Sequence, residues 1–116
     1  MITLTDLQKC EIKIGKVLRA EQVEGSEKLL KLLVDLGPSS AKATAGEGRD
    51  IRTILSGIAK VVEPEALVGK LVPVVANLEP REMMGLTSQG MILCADDGGP
   101  VLLHPATDVL PGSVVK

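Results

Sequence analysis

The chain has 116 residues, 45% of them hydrophobic and 24% charged, with a formal net charge of −2 and no Phe, Tyr or Trp. That length suits one domain with a modest core, built without aromatic rings from Leu, Ile, Val, Met and Ala. The composition excludes the aromatic platforms on which single-strand binders stack bases, and the charge excludes a broad basic field.

Charge is nevertheless uneven: residues 1–60 hold ten basic against eight acidic side chains, and residues 61–116 hold three against seven. A local basic face is therefore open to the first half. Thr3-Leu4-Thr5-Asp6-Leu7 reads as a lead-in or helical turn. Residues 11–20 alternate apolar and charged side chains and then shift phase across Gly15, the pattern of a strand with a bulge or bend there. A polar loop follows over 21–28, and Leu29 to Leu36 supplies a second strand closed by Gly37-Pro38. Residues 39–48 are small, polar and glycine-containing, which predicts a flexible loop or distorted hairpin.

Arg49 to Ile58 is the third strand. Pro64-Glu65-Ala66-Leu67 before Gly69 predicts a short helix with proline in its first turn. Leu71 to Asn77 is the fourth strand, with Pro73 pointing to an edge. Residues 90–95 and 101–104 flank Asp96-Asp97-Gly98-Gly99, a hairpin signal, and an extension over 109–115 ends the chain. Five strands and one intervening helix fit an all-β, five-stranded OB-fold barrel or a small β-sandwich.

Catalytic patterns are missing. His104 is the lone histidine, Ser56 and Ser88 lack a nucleophile-elbow setting, and the Asp96-Asp97-Gly98-Gly99 run lacks the later ligands of a calcium loop. There is no phosphate-binding or dinucleotide fingerprint. The expectation is a binding domain with no cofactor and no metal. Cys10 and Cys94 are far apart without metal-ligand spacing. With no leader and no apolar run long enough to span a bilayer, they are expected as free thiols in the cytoplasm, without membrane contact.

The functional signal lies in Val74-Val75-Ala76-Asn77-Leu78-Glu79-Pro80-Arg81, then Met83-Met84-Gly85 and Ser88-Gln89-Gly90-Met91-Ile92-Leu93. Two strands would hold one ligand-facing loop between them, and binding residues concentrate on such loops. Together with Leu55-Ser56-Gly57-Ile58, these words resemble the tRNA-binding domain at the C-terminus of many methionyl-tRNA synthetases. That domain also occurs as free-standing tRNA-binding proteins and in the CsaA chaperones. The resemblance runs from about Ile12 to Val115 and favours the OB-fold barrel, with a short helix between strands three and four and a C-terminal extension. It implies a single tRNA-binding domain over 1–116, acting without catalysis as an appended or associated part of methionyl-tRNA synthetase or as a free-standing protein. A CsaA-like chaperone for unfolded polypeptide is the alternative.

Asn77 has a turn reading from its tolerance of left-handed backbone, and the resemblance assigns it to the tRNA-contacting face. Arg81 is either a solvated turn residue or a bidentate phosphate clamp. Met83 and Met84 cannot both fold inward on a short turn, so one is expected to offer a soft apolar contact. Ser88 and Gln89 enter a strand, and the resemblance places the serine in the binding cleft, where a hydroxyl meets a phosphate or 2′-OH. Lys28 matches the lysine of the family's loop before strand two. The expected tRNA-binding set is thus Lys28, Asn77, Arg81, Met83, Ser88 and Gln89, with Arg49 and Arg52 as weaker additions. The family often carries basic residues where this chain has Glu82 and Met84. Its members usually dimerise, and Val109, Leu110, Val114 and Val115 are apolar enough here to predict a homodimer. The resemblance adds the synthetase's catalytic domain as a further partner.

Overall fold

Strand β1 (Ile12–Gln22) organises the molecule by changing partners halfway along its length. A computed structural model describes residues 1–38 and 48–116. Before β1, helix α1 (Leu4–Leu7) is a single turn closed by a capping box between Thr3 and Asp6, which satisfies backbone donors that a short helix leaves open. The first half of β1 pairs with β4 (Leu71–Val75), from Ile12 opposite Val75 to Lys16 opposite Leu71. Its second half pairs with β2 (Leu30–Pro38), from Lys16 opposite Asp35 to Gln22 opposite Leu30. Where β2 has left the early residues of β1, the last strand, β10 (Val114–Val115), takes up pairing with Ile12 and Lys13.

The bend in β1 is not at Gly15. Its register against β2 shifts between Val17 and Arg19, and Leu18 is turned outward there, as an extra residue in a bulged strand must be. Gly15 serves close approach instead. A β-carbon there would stand 2.4 Å from Val34 Cγ1 and 2.9 Å from Leu36 Cδ2, so any side chain would displace the core.

Strand β2 alternates in burial from Leu30 to Val34 and is buried continuously from there to Gly37. Leu30, Leu32, Val34 and Leu36 are buried and join Val17, Ile54, Leu67, Val72, Val74 and Ile92 in one apolar cluster. Strand β3 (Arg49–Ser56) pairs with β2 through Leu30–Ser56 to Asp35–Ile51. Helix α2 (Pro64–Leu67) starts on Pro64 and drops Leu67, fully buried, into the cluster between β3 and β4. Asp35 is buried as well, and its charge is compensated by Arg49 Nε at 2.9 Å and by the Gly37 N–H at 2.8 Å. The loop expected over 39–48 falls outside the described residues except for Gly48.

Pro73 is not on an outer edge, since β4 lies between β1 and β7 (Met91–Ile92). Its missing N–H faces β7, whose pairing covers only Val74 and Val75, while its carbonyl accepts from the Leu93 N–H at 3.0 Å. Proline is tolerated there because the ladder ends beside it. The expected fifth strand is broken. Strand β7 stays with β4, whereas β8 (Cys94–Asp96) and β9 (Pro100–Leu102) form their own hairpin, its turn held by the Gly99 N–H on Asp96 Oδ1.

The residues between β4 and β7 also pair. Strands β5 (Arg81–Met83) and β6 (Leu86–Ser88) form a hairpin in the expected loop. Met84 and Gly85 turn it with φ of 53° and 75°, the two positive values that a tight hairpin turn matching strand twist requires. The main sheet runs β3-β2-β1-β4-β7. It curls into an antiparallel half-barrel of all-β, OB-like architecture, with one short helix between its third and fourth strands.

Candidate nucleic-acid interface

Curling the sheet leaves β3 with an unpaired edge opposite β7, and buried donors on such an edge need partners. Residues 88–90 supply them. The Thr53 N–H donates to Gln89 Oε1 at 3.0 Å, and the Gln89 N–H donates back to the Thr53 carbonyl at 2.8 Å. Two residues on, the Leu55 N–H donates to Ser88 Oγ at 3.0 Å, and that hydroxyl donates to the Gly90 carbonyl at 3.0 Å. Two side chains therefore do what a neighbouring strand would do.

Ser88 was expected to turn its hydroxyl to a phosphate or 2′-OH. In the structure it is 1% exposed and both of its hydrogen-bonding functions are engaged internally. Gln89 is exposed, but its amide oxygen is committed to Thr53; its amide nitrogen has no protein partner among the described residues. Asn77 is also engaged. The Glu11 N–H donates to Asn77 Oδ1 at 2.8 Å, and Asn77 Nδ2 donates to the Lys9 carbonyl at 2.6 Å, clipping the segment before β1 to the end of β4.

Arg81 is different. It stands opposite Ser88 at the base of the hairpin, exposed, and among the described residues its guanidinium has neither a hydrogen bond nor an ion pair. From there the hairpin leads to the tip, where Met83 is half-buried and Met84 exposed, the division expected of two adjacent methionines. The Met84 methyl lies over Gly25, 3.4 Å from where a β-carbon would stand. That glycine belongs to the turn between β1 and β2, which Ser26 holds by accepting from the Lys28 and Leu29 N–H groups at 3.3 and 3.1 Å. The turn leaves Lys28 exposed. The structure thus brings the Lys28 turn against the hairpin carrying Arg81, Met83 and Met84, and leaves Asn77 tied to the N-terminal segment.

Two basic residues went unnoticed in the sequence. Arg19 on β1 and Lys31 on β2 line, with Glu21, Leu33 and Thr53, a shallow groove of about 120 Å³. They alternate with the buried residues of their strands and so lie on the outer face. The groove reaches Thr53, the residue bonded to Gln89, so it adjoins the base of the hairpin. The place of Lys31 between Leu30 and Leu32 was the available signal for it. Arg49 and Arg52 do not widen this face as free cations: Arg49 pairs with Asp35 and Arg52 with Asp50, at 2.9 and 3.0 Å. Among the described residues no three His, Cys, Asp or Glu side chains gather to hold a metal, and no helix is long and apolar enough to cross a membrane.

Strands two and three with their flanking loops form the surface on which OB-type barrels bind oligonucleotides, and the groove, turn and hairpin occupy that surface here. Residues 12–114 match the family described as "Putative tRNA binding domain". The methionine–tRNA ligase of Archaeoglobus fulgidus is 48% identical over 115 residues, covering 98% of this chain and 16% of that protein. The chain thus spans about a sixth of the length of that relative. Among solved structures, a MetRS related protein from Pyrococcus horikoshii has a TM-score of 0.85 at 32% identity, covering 100% of this chain and 98% of that one. The chaperone CsaA from Bacillus anthracis, at TM-score 0.81 and 24% identity over 100% of this chain and 99% of its own, shares the fold. The family match over nearly the whole chain and the surface that carries it lead to one assignment: the chain belongs to the tRNA-binding domain family.

Proposed function

We propose that residues 1–116 form a non-catalytic module that holds folded tRNA by its backbone and shape, as an appended or associated part of methionyl-tRNA synthetase or as a free-standing protein. Tethering tRNA near a catalytic domain raises its local concentration without new chemistry. The observation that carries this reading is the exposed Arg81 guanidinium, without a partner among the described residues, on a hairpin whose base is bonded through Gln89 to Thr53 of the groove. A planar cation without an internal partner is available for bidentate phosphate contact. Lys28 and Arg19 add charge around it, while Lys31 is paired with Glu21 at 3.7 Å, and Met83 and Met84 add soft apolar surface. Gln89 offers its amide nitrogen. Ser88 and Asn77 act behind this surface, by holding its support.

A mobility-shift titration with bulk tRNA at two salt concentrations tests the proposal. Steep weakening with salt supports phosphate-led binding; salt-insensitive capture of unfolded polypeptide without tRNA binding would favour a chaperone. A cytoplasmic setting accords with the two free thiols. A homodimer is supported by Leu110, 81% exposed, with Val114 and Val115 exposed on the terminal strand, since contiguous apolar surface marks interfaces. Sedimentation at micromolar concentration should show a dimer, and a monomer alone would refute it.

A further inference from the structure

Arg52 stands midway along β3, faces the same way as the buried Ile54 and is itself half-buried. Its Nε donates to Asp50 Oδ1 and its Nη2 to Asp50 Oδ2, both at 3.0 Å. Its Nη1 donates to the Gln89 carbonyl at 3.1 Å and also to the Ala76 carbonyl. Four of the five guanidinium N–H groups are thereby engaged. The two carbonyls have a particular place in the chain: Ala76 immediately precedes, and Gln89 immediately follows, the segment 77–88 that contains the hairpin.

We propose that Arg52, oriented by Asp50, is the positioning residue of the ligand loop: it pins both ends of segment 77–88 to the barrel and does not itself contact RNA. This rests on the tRNA-binding reading above. The paired carboxylate fixes the plane of the guanidinium and compensates its charge, so the two remaining donors reach the two carbonyls together. Lysine at this position could not satisfy Asp50 and both carbonyls with the same geometry. Segment 77–88 has little else to fix it at both ends, because Asn77 holds only the first and the residues at 88–89 only the second. The clamp therefore determines where Arg81 stands relative to the groove.

The test uses Arg52→Met, Arg52→Lys and Asp50→Asn in the full chain, with bulk tRNA as the probe. Arg52→Met should speed amide exchange across 81–88 while leaving the buried part of β2 protected. Its tRNA affinity should fall roughly tenfold, since binding must then order the loop. The slope of log affinity against log salt should stay as in the wild type, because no phosphate contact is removed. Arg52→Lys should recover part of the affinity. Asp50→Asn, which retains the arginine and the fold, should also speed hairpin exchange and weaken binding.

A salt slope reduced by about one unit in Arg52→Met would overturn the proposal, because it reports a direct phosphate contact. Tighter binding in Asp50→Asn would overturn it too, since releasing the guanidinium would then help. Faster hairpin exchange with unchanged affinity would show that loop position does not matter to tRNA. If the wild type fails to bind tRNA, the functional reading falls and takes the positioning role with it, while exchange without RNA still reports whether the clamp holds.

Discussion

The base and the tip of the β5–β6 hairpin are both polar and exposed-looking in sequence, but the fold uses them in opposite ways. At the base, Ser88 and Gln89 satisfy the free edge of β3, the serine buried at 1% exposure and the glutamine exposed but with its amide oxygen committed. Across the hairpin and toward the tip, Arg81, Glu82 and Met84 have no such work and remain exposed. The decisive difference is the neighbour. A polar side chain beside the unpaired edge of β3 bonds to that edge, whereas Arg81, directly across the hairpin from Ser88, stays exposed. The comparison divides the expected binding set into residues engaged within the protein and residues left exposed.

The largest effect that could break this division is on stability. Ser88→Ala leaves the Leu55 N–H and the Gly90 carbonyl without their partner inside the protein. A buried group left unpaired costs about 1–3 kcal/mol, so thermal unfolding should shift downward by on the order of 10 °C. Were Ser88 a ligand contact instead, tRNA affinity would fall with the melting temperature unchanged. Arg81→Ala should give the mirror image. Affinity falls about tenfold, because a hydrogen bond to a charged group is worth roughly 1.5–3 kcal/mol, and stability stays within about 0.5 kcal/mol, as for an unengaged surface residue.

Smaller effects sharpen the picture. Glu82 neighbours Arg81 on β5 and pairs with Thr87. Glu82→Lys should tighten tRNA binding roughly threefold by replacing a repulsive charge with an attractive one; equal or weaker binding would move the ligand off this hairpin. The smallest test concerns the thiols. Burial raises the Cys94 pKa above its usual 9.0, so at any given pH less thiolate is present, and the thiolate is the reactive form. Exposed Cys10 should label first, with Cys94 accelerating only as pH rises; rapid labelling of Cys94 near neutrality would contradict its half-buried place beside the core.

Much of the barrel was legible because its signals are local. The apolar run from Leu29 to Leu36, Pro64 in a first turn, and Asp96 to Gly99 each determine structure within a few residues. The hairpin tip was legible for the same reason, since two methionines on a short turn cannot both be buried. The internal bonds of Ser88, Gln89 and Asn77 were not legible because their partners lie far away in sequence. Asn77 bonds to Lys9 and Glu11, 68 and 66 residues earlier, and Ser88 bonds to Leu55, 33 residues earlier. A Ser-Gln-Gly run before a strand looks the same whether its side chains meet solvent or close a distant edge. Gly15 misled by a different route: glycine in a strand can mark either a bend or close packing, and the bulge fell at Leu18.

The central claim is that Arg81 meets a phosphate while the serine opposite it does not meet the ligand at all. The salt dependence of tRNA affinity, measured for wild type, Arg81→Ala and Ser88→Ala over the same salt range, tests it most directly. Each phosphate contact contributes close to one unit of slope for duplex nucleic acid and somewhat less for single strands. The account predicts a slope shallower by about one unit in Arg81→Ala and unchanged in Ser88→Ala at a temperature where the latter is folded. An unchanged slope in Arg81→Ala, with binding still measurable, would place the ligand on another face of the barrel.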